Sequence, residues 1–394
     1  MLSAGGAGAE PPAPDLRLLY AASFTSTFDR FSAPPLLLAV ASSFGVSLAE
    51  AAAVASVYFL FYGVMQAVWG ALSDVLGRVR VVRLALAGGA IAAVLSTLAP
   101  SLAALVLARA LAGGLFAGII PTALVYVGDV VRFDRRQRTF ADLVGSNAAG
   151  TALATFAAGL LAAFVSWRLA FLIPAIPAAG LAVALGRLPE PAGRPPARPL
   201  HSLGVAVRRP WALAVIALVT VEGAVMWGLV TYLAPALESS GWSAAVAGTV
   251  VASFGVATVG WTRVLKPLTR RLSAPAIILI GSGLTALGYT AAALDQGILG
   301  IGTASVLVAG CYALTHTTLQ AWATEVAPEV RASVISLFAT GLFVGGSLGA
   351  TAAAPLAAEG RFGLLFALGT VVIVPLGAVA ALARGRFRAA PSPA

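Results

Sequence analysis

GALSDVLGRVRVVR, residues 70–83, joins two apolar runs of membrane-spanning length, and its reading decides the fold. Gly70 and Gly77 allow two helix ends and a tight turn to approach closely. Asp74 supplies one negative charge, and Arg78, Arg80 and Arg83 supply a positive cluster. The stretch is expected to form a short cytoplasmic turn between two transmembrane helices.

Composition points to the same solvent. Hydrophobic residues make up 59% of the 394 and charged residues 10%, with mean hydropathy +0.94. Soluble domains hold roughly 45 to 50% and 25%. A water-soluble core cannot absorb that much apolar surface, so bilayer is the expected surroundings. Runs of about 20 residues, enough to cross ~30 Å of hydrocarbon at 1.5 Å per residue, recur along the whole chain. Twelve are read, at 17–41, 50–72, 80–99, 101–127, 141–165, 167–186, 211–236, 243–262, 274–294, 298–322, 332–355 and 362–383, which makes an all-α membrane protein.

The net charge of +10 is scattered through short connections rather than gathered on one soluble module, which argues against nucleic acid as a partner. With both termini cytoplasmic, 21 of the 25 Lys and Arg residues fall on inner segments. Only Arg168 and Arg361 fall outside, and Arg30 and Arg109 fall within spans. This is the positive-inside pattern, which an odd number of spans would scramble. Residues 1–15, polar and Pro/Gly-rich, lack the basic-then-apolar order of a cleaved signal. They read as a disordered cytoplasmic tail, and residues 385–394 read as a second cytoplasmic tail. The expected location is the cell (inner) membrane, in lipid, with the chain monomeric.

The longest polar connection, GRLPEPAGRPPARPLHSLGVAVRRP from Gly186 to Pro210, carries five arginines and six prolines. It divides the chain into a bundle at 16–186, a cytoplasmic linker at 187–210 and a bundle at 211–384. An internal echo supports duplication: SSFGVSLAEA at 42–51 resembles SSGWSAAVAG at 239–248.

The stretch that opens the argument resembles the signature loop of the major facilitator superfamily, Gly-x-Leu-x-Asp-x-x-Gly-Arg-x-Arg, met at Gly70, Leu72, Asp74, Gly77, Arg78 and Arg80. The resemblance implies two pseudo-symmetric six-helix bundles that rock about a central site. It also implies a conformational latch. Asp74 and Arg78 would join an acid at the end of helix 4, here Asp129, beside the start of helix 11, closing the cytoplasmic side in the outward-open state. Asp74, placed near a helix N-terminus, would gain up to ~1 kcal/mol from the dipole. Arg109 followed by Gly113 resembles the superfamily's second motif, which implies proton transfer or positioning of the helix 1 acid. Two departures stand out. Helix 5, GSNAAGTALATFAAG, lacks the Gly-x-x-x-Gly-Pro of proton-driven drug exporters. The second half's loop, GWTRVLKPLTRR from Gly260, keeps the basic residues and lacks the Asp and the second Gly.

Chemistry is sought where charge is buried, because a charge at mid-bilayer costs at least ~2.5 to 3.5 kcal/mol. Asp29, Arg30, Arg109 and Glu222 are such residues. Asp29 and Arg30 are adjacent, so they diverge by ~100° around helix 1 and cannot both aim at one point. Pro34 and Pro35 should bend or loosen that helix a turn later. With the echo's offset of 196, Glu222 in helix 7 corresponds to Ser26 in helix 1, one turn from Asp29. Asp29 and Glu222 are the candidates for proton coupling, with Arg109 beside them. The bland alternative is a permanent pair between Asp29 and Arg109 or Arg30. Arg30 is either a handle for an anionic substrate or a modulator of Asp29. His316 and Gln320 in helix 10, with Tyr58, Tyr62, Trp227 and Tyr232, complete the expected substrate cavity.

An enzyme is not expected. There is no Gly-x-x-x-x-Gly-Lys loop for ATP, and two histidines and one cysteine offer no metal cluster, so neither cofactor nor metal is expected. The reading is a proton-coupled secondary active transporter of small molecules working by alternating access, with export of lipophilic or drug-like compounds as the first substrate reading. The second is an organic anion or lysophospholipid held by Arg30, since the resemblance extends to transporters of both. A transport-inactive receptor on the same fold is the third.

Overall fold

The computed structural model describes residues 15–191 and 199–388. The expected tails at residues 1–14 and 389–394, and the linker arginines Arg194 and Arg198, lie outside the described residues. Among the described residues the fold is all-helical, with twelve membrane helices: α1 (residues 17–44), α2 (Leu48–Leu76), α3 (Arg78–Leu98), α4 (Leu102–Val130), α5 (Asp134–Phe164), α6 (Leu169–Arg187), α7 (Pro210–Ser239), α8 (Ala244–Leu268), α9 (Ala274–Leu294), α10 (Ile298–Ala323), α11 (Arg331–Ala358) and α12 (Phe362–Arg386). A short helix, Pro199–Ala206, lies in the linker.

All but α1 are long and apolar enough to span on their own. In α1 the helix Arg17–Ser32 stops, turns through a 3-10 segment at Pro34–Leu36 and resumes as Leu37–Phe44. The two prolines withdraw backbone donors there. Helix α5 begins well before residue 141. Its first residues, DRRQRTF, are polar yet good helix formers, so apolarity marks the bilayer and not the helix end.

The two halves repeat one packing scheme. Helix α1 packs on α5 as α7 packs on α11, α2 on α4 as α8 on α10, and α3 on α6 as α9 on α12. The sequence echo is built alike in both copies. Gly45 and Gly241 take left-handed backbone at φ 64° and 93°. Ser47 and Ser243, 196 residues apart, then cap α2 and α8 by accepting from the amides of Glu50 (3.2 Å) and Val246 (3.3 Å).

The halves meet along α5–α8 and α2–α11. A Cβ on Gly159 or Gly248 would strike the facing backbone, and one on Gly255 would lie 2.6 Å from the carbonyl oxygen of Ala148. Thr340 donates to the carbonyl of Gly63 at 2.9 Å across the other seam. These contacts occupy the middle of the bilayer and the end away from the arginine-rich turns. There Leu36 and Leu37 of α1 and Leu233 and Leu237 of α7 are fully buried. Toward the arginine-rich end, Gly145 of α5 has no neighbour within 4 Å of a built Cβ. The tight glycine contacts of the seams thus lie away from the arginine-rich end.

Replacing Gly248 by Val should wedge the α5–α8 seam and cost about 1 to 3 kcal/mol through overpacking. The check is the thermal midpoint of the purified protein in detergent. An unchanged midpoint would contradict so close a contact.

Candidate functional site

Small residues bring the charged helices together. A Cβ on Gly113 would collide with the carbonyl of Tyr58, so the glycine lets α4 lie directly against α2. Gly150 likewise admits the carbonyl of Phe24, seating α5 on α1. Arg109, one turn before Gly113, then reaches the centre of the first half. Its Nη1 donates to Oδ1 of Asp29 at 2.9 Å, and its Nη2 to Oδ2 at 3.0 Å and to the backbone carbonyl of Asp29 at 2.9 Å. Both side chains are fully buried. Tyr58 and Phe171 face the guanidinium at 4.4 and 4.6 Å. Asp29 thus takes Arg109 and not its neighbour Arg30.

The second half holds an acid and a base on the equivalent helices. Oε2 of Glu222 on α7 lies 3.1 Å from Nδ1 of His316 on α10, and Sγ of Cys311 donates to Oε1 at 3.9 Å. Glu222 is fully buried and His316 nearly so. A π-helical turn adjoins the pair on each helix, Ala224–Gly228 in α7 and Tyr312–His316 in α10. Such turns break the regular ladder and gather at functional positions. Sequence reading placed Glu222 and His316 in separate roles; their pairing was not foreseen.

Arg30 has no ion-pair or hydrogen-bond partner among the described residues. It is 8% exposed, its Nε is enclosed without an acceptor, and its guanidinium lies over Phe31 (5.0 Å), Tyr62 (4.8 Å) and Phe343 (5.1 Å). Trp227 packs on Phe31 at 5.0 Å and on Tyr312 at 5.6 Å, and its indole Nε1 is buried without a partner. Tyr312 stacks on His316 at 5.1 Å, which links this aromatic box to the Glu222 pair. Tyr62 stacks on Tyr58, whose hydroxyl is also enclosed and unpartnered. The remaining expected cavity residues lie elsewhere. Tyr232 is fully buried with its hydroxyl committed to the carbonyl of Ala350, and Gln320 is exposed beyond His316.

The turn at the arginine-rich end differs from its expected form. Gly70 lies inside α2, which runs unbroken to Leu76, and a Cβ there would meet nothing. The turn is made by Gly77 alone, at φ 99°. Asp74 lies in the last turn of α2 and not at a helix N-terminus. Arg78 donates to Ser73 at 2.8 Å and to Asp74 at 2.5 Å, and its Nε lies 3.5 Å from Asp129. Arg80 is exposed. The partners of Asp74 and Arg78 all belong to the first half; neither bonds to α11 in this conformation. The carboxylate that serves the N-terminus of α3 is Glu190 of the linker, which accepts from the amides of Val79 (3.2 Å) and Arg80 (3.3 Å). An uncapped glycine opening a helix was the only sequence signal for it.

The sequence profile of the Major Facilitator Superfamily matches residues 19–350. An uncharacterized MFS-type transporter of Bacillus subtilis (strain 168), YybF, is 24% identical over 151 residues, 38% of this chain and 37% of that protein, so the match spans just over a third of the relative. Solved structures with the same fold include a bacterial homologue of the human lysosomal transporter Spinster, inward-facing and unoccupied, at 17% identity and TM-score 0.75 over 96% of this chain and 98% of that one. The nucleoside transporter NupG is similar at 14% identity and TM-score 0.74 over 94% and 99%. A POT peptide transporter is similar at 16% and 0.77 over 94% and 94%.

Asp29→Leu leaves the buried Arg109 charge without a partner and should cost about 3 to 5 kcal/mol. The double variant Asp29→Leu with Arg109→Leu should recover most of that loss. Thermal midpoints of the three proteins test the pair, and equal losses in the single and double variants would refute a clasp.

Proposed function

The chain belongs to the Major Facilitator Superfamily, and from that we propose that it is a proton-coupled transporter that carries a small organic anion by alternating access. The arginine-rich end is taken as cytoplasmic, and the tight seam contacts at the other end support a conformation open toward the cytoplasm. The observation that carries the substrate reading is Arg30, a buried guanidinium with aromatic walls and no acid of its own. A cation left unpaired at mid-membrane is costly unless a ligand compensates it. Arginine supplies fixed donors suited to carboxylate or phosphate, and the aromatic walls suit an apolar or planar body. Export of a cationic drug is less well supported, because Asp29 and Glu222 are both engaged and leave the box no free carboxylate.

Coupling is assigned to the second half's pair. Arginine stays charged at any physiological pH, so Asp29–Arg109 serves as a permanent clasp. An imidazole, unlike a guanidinium, exists in both neutral and protonated forms, so the coupling proton is assigned to Glu222–His316. Tyr312 and Trp227 place that pair beside the substrate box. A bound anion and a bound proton attract one another, which favours carrying both in the same direction. Asp74, Arg78 and Asp129 form the movable latch, engaging α11 when the cytoplasmic end closes. In this conformation Glu190 keeps the linker docked on α3.

The test is a proteoliposome assay with an imposed pH gradient and matched panels of organic acids, their amides and organic cations. Acids should accumulate. Arg30→Gln should raise the KM for acids by about 30-fold, as expected for a lost charged hydrogen bond. Glu222→Gln should abolish gradient-driven accumulation and leave counterflow exchange intact. Transport restricted to cations, or an undiminished gradient response in Glu222→Gln, would reject the proposal.

A further inference from the structure

The two equivalent turns at the arginine-rich end differ in how they dispose of their charge. In the first half, Arg78 is held by Asp74 and Asp129, Arg83 donates to the carbonyl of Ala182 at 2.8 Å, and Glu190 caps α3. Arg80 of that turn is exposed. In the second half, Arg263, Lys266, Arg270 and Arg271 are all exposed, and their side chains have no hydrogen-bond or ion-pair partner among the described residues. Arg263 and Lys266 lie one turn apart near the end of α8, and Arg270 and Arg271 follow in the turn after it.

No acid of that half is left to balance them. Its six are Glu222, Glu238, Asp295, Glu325, Glu329 and Glu359. Glu222 is engaged at mid-membrane, and Glu238, Asp295 and Glu359 lie at the opposite end. Glu325 pairs with Arg384 at 2.8 Å and Glu329 with Arg209 at 2.6 Å. Just ahead of the cluster, Trp261 donates its indole N–H to the carbonyl of Val306 at 2.8 Å while its ring remains partly exposed.

We propose that the α8–α9 turn is a binding site for the phosphate headgroups of anionic phospholipids. Arg263, Lys266, Arg270 and Arg271 supply the charge. The site anchors the second half at the membrane surface, while the first half keeps its own turn for the latch.

Binding can be measured without transport. The full chain, in a non-ionic detergent, is titrated with phosphatidylglycerol and with phosphatidylcholine of the same chains, and bound lipid is counted by native mass spectrometry. Phosphatidylglycerol should be preferred. Changing all four residues to Gln should remove the preference, with about fivefold lost per charge. Arg135→Gln with Arg138→Gln in the first half should leave it in place. A variant with Arg263, Arg270 and Arg271 each changed to Lys should retain it, and thermal midpoints establish that the variants are folded. If the fourfold variant does not fold, the single variant Lys266→Gln should show the fivefold loss. Equal binding of the two lipids, an unchanged preference in the Gln variants, or equal loss in the first-half control would overturn the proposal. Displacement of the lipid by millimolar inorganic phosphate would overturn it in favour of a general oxyanion site.

Discussion

A charge enclosed in protein within a bilayer is costly unless its surroundings offset it, and this molecule sets a buried acid against a buried base once in each half. Removing a carboxylate and a guanidinium from water costs several kcal/mol per ion, which is recovered only with good geometry and further hydrogen bonds. Asp29 and Arg109 meet those terms through two side-chain bonds and a third to the Asp29 backbone. Glu222 and His316 meet them on the equivalent helices, α7 and α10. The helix packing follows from the need to bring these groups within 3 Å or so of one another. Gly113 and Gly150 serve that end by removing side chains where α4 and α5 cross their neighbours.

The two pairs are alike in place and unlike in chemistry. A guanidinium cannot give up its proton under physiological conditions, whereas an imidazole can. Pseudo-symmetry therefore places a carboxylate–guanidinium pair in one half and a carboxylate–imidazole pair at the equivalent place in the other. Arg30 stands between them without a partner, held only by ring faces. That arrangement is stable where the ring quadrupoles and access to water or ligand offset the missing anion.

The seams divide the molecule along its length. Close backbone contacts at Gly159, Gly248 and Gly255 join the halves away from the arginine-rich end, whereas Gly145 on the same face of α5 has no such neighbour. Because lipid offers no hydrophobic drive between helices, these short-range contacts are what hold the halves together. A small change in crossing angle can trade one set for another. The turn after α2 is suited to such a trade, since its ion pairs are partly exposed and each is weak.

Much was legible in the sequence because it rests on local or periodic properties. Length and apolarity of the runs gave the number of spans, the distribution of Arg gave a common end for the turns, and the echo gave the duplication, which the structure bears out in matching turns at Gly45 and Gly241 and matching caps at Ser47 and Ser243. The break at Pro34 and Pro35 followed from missing donors. Pairing was not legible. Sequence could say that Asp29 and Arg30 point apart, but only packing set Arg109 against Asp29, His316 against Glu222 across 94 residues, and Glu190 over an uncapped helix more than 100 residues away. It also left Gly70 inside a helix where a turn was expected. Spans and turns are decided by a residue and its near neighbours, whereas the partner of a buried charge is decided by which helix faces can approach closely in three dimensions.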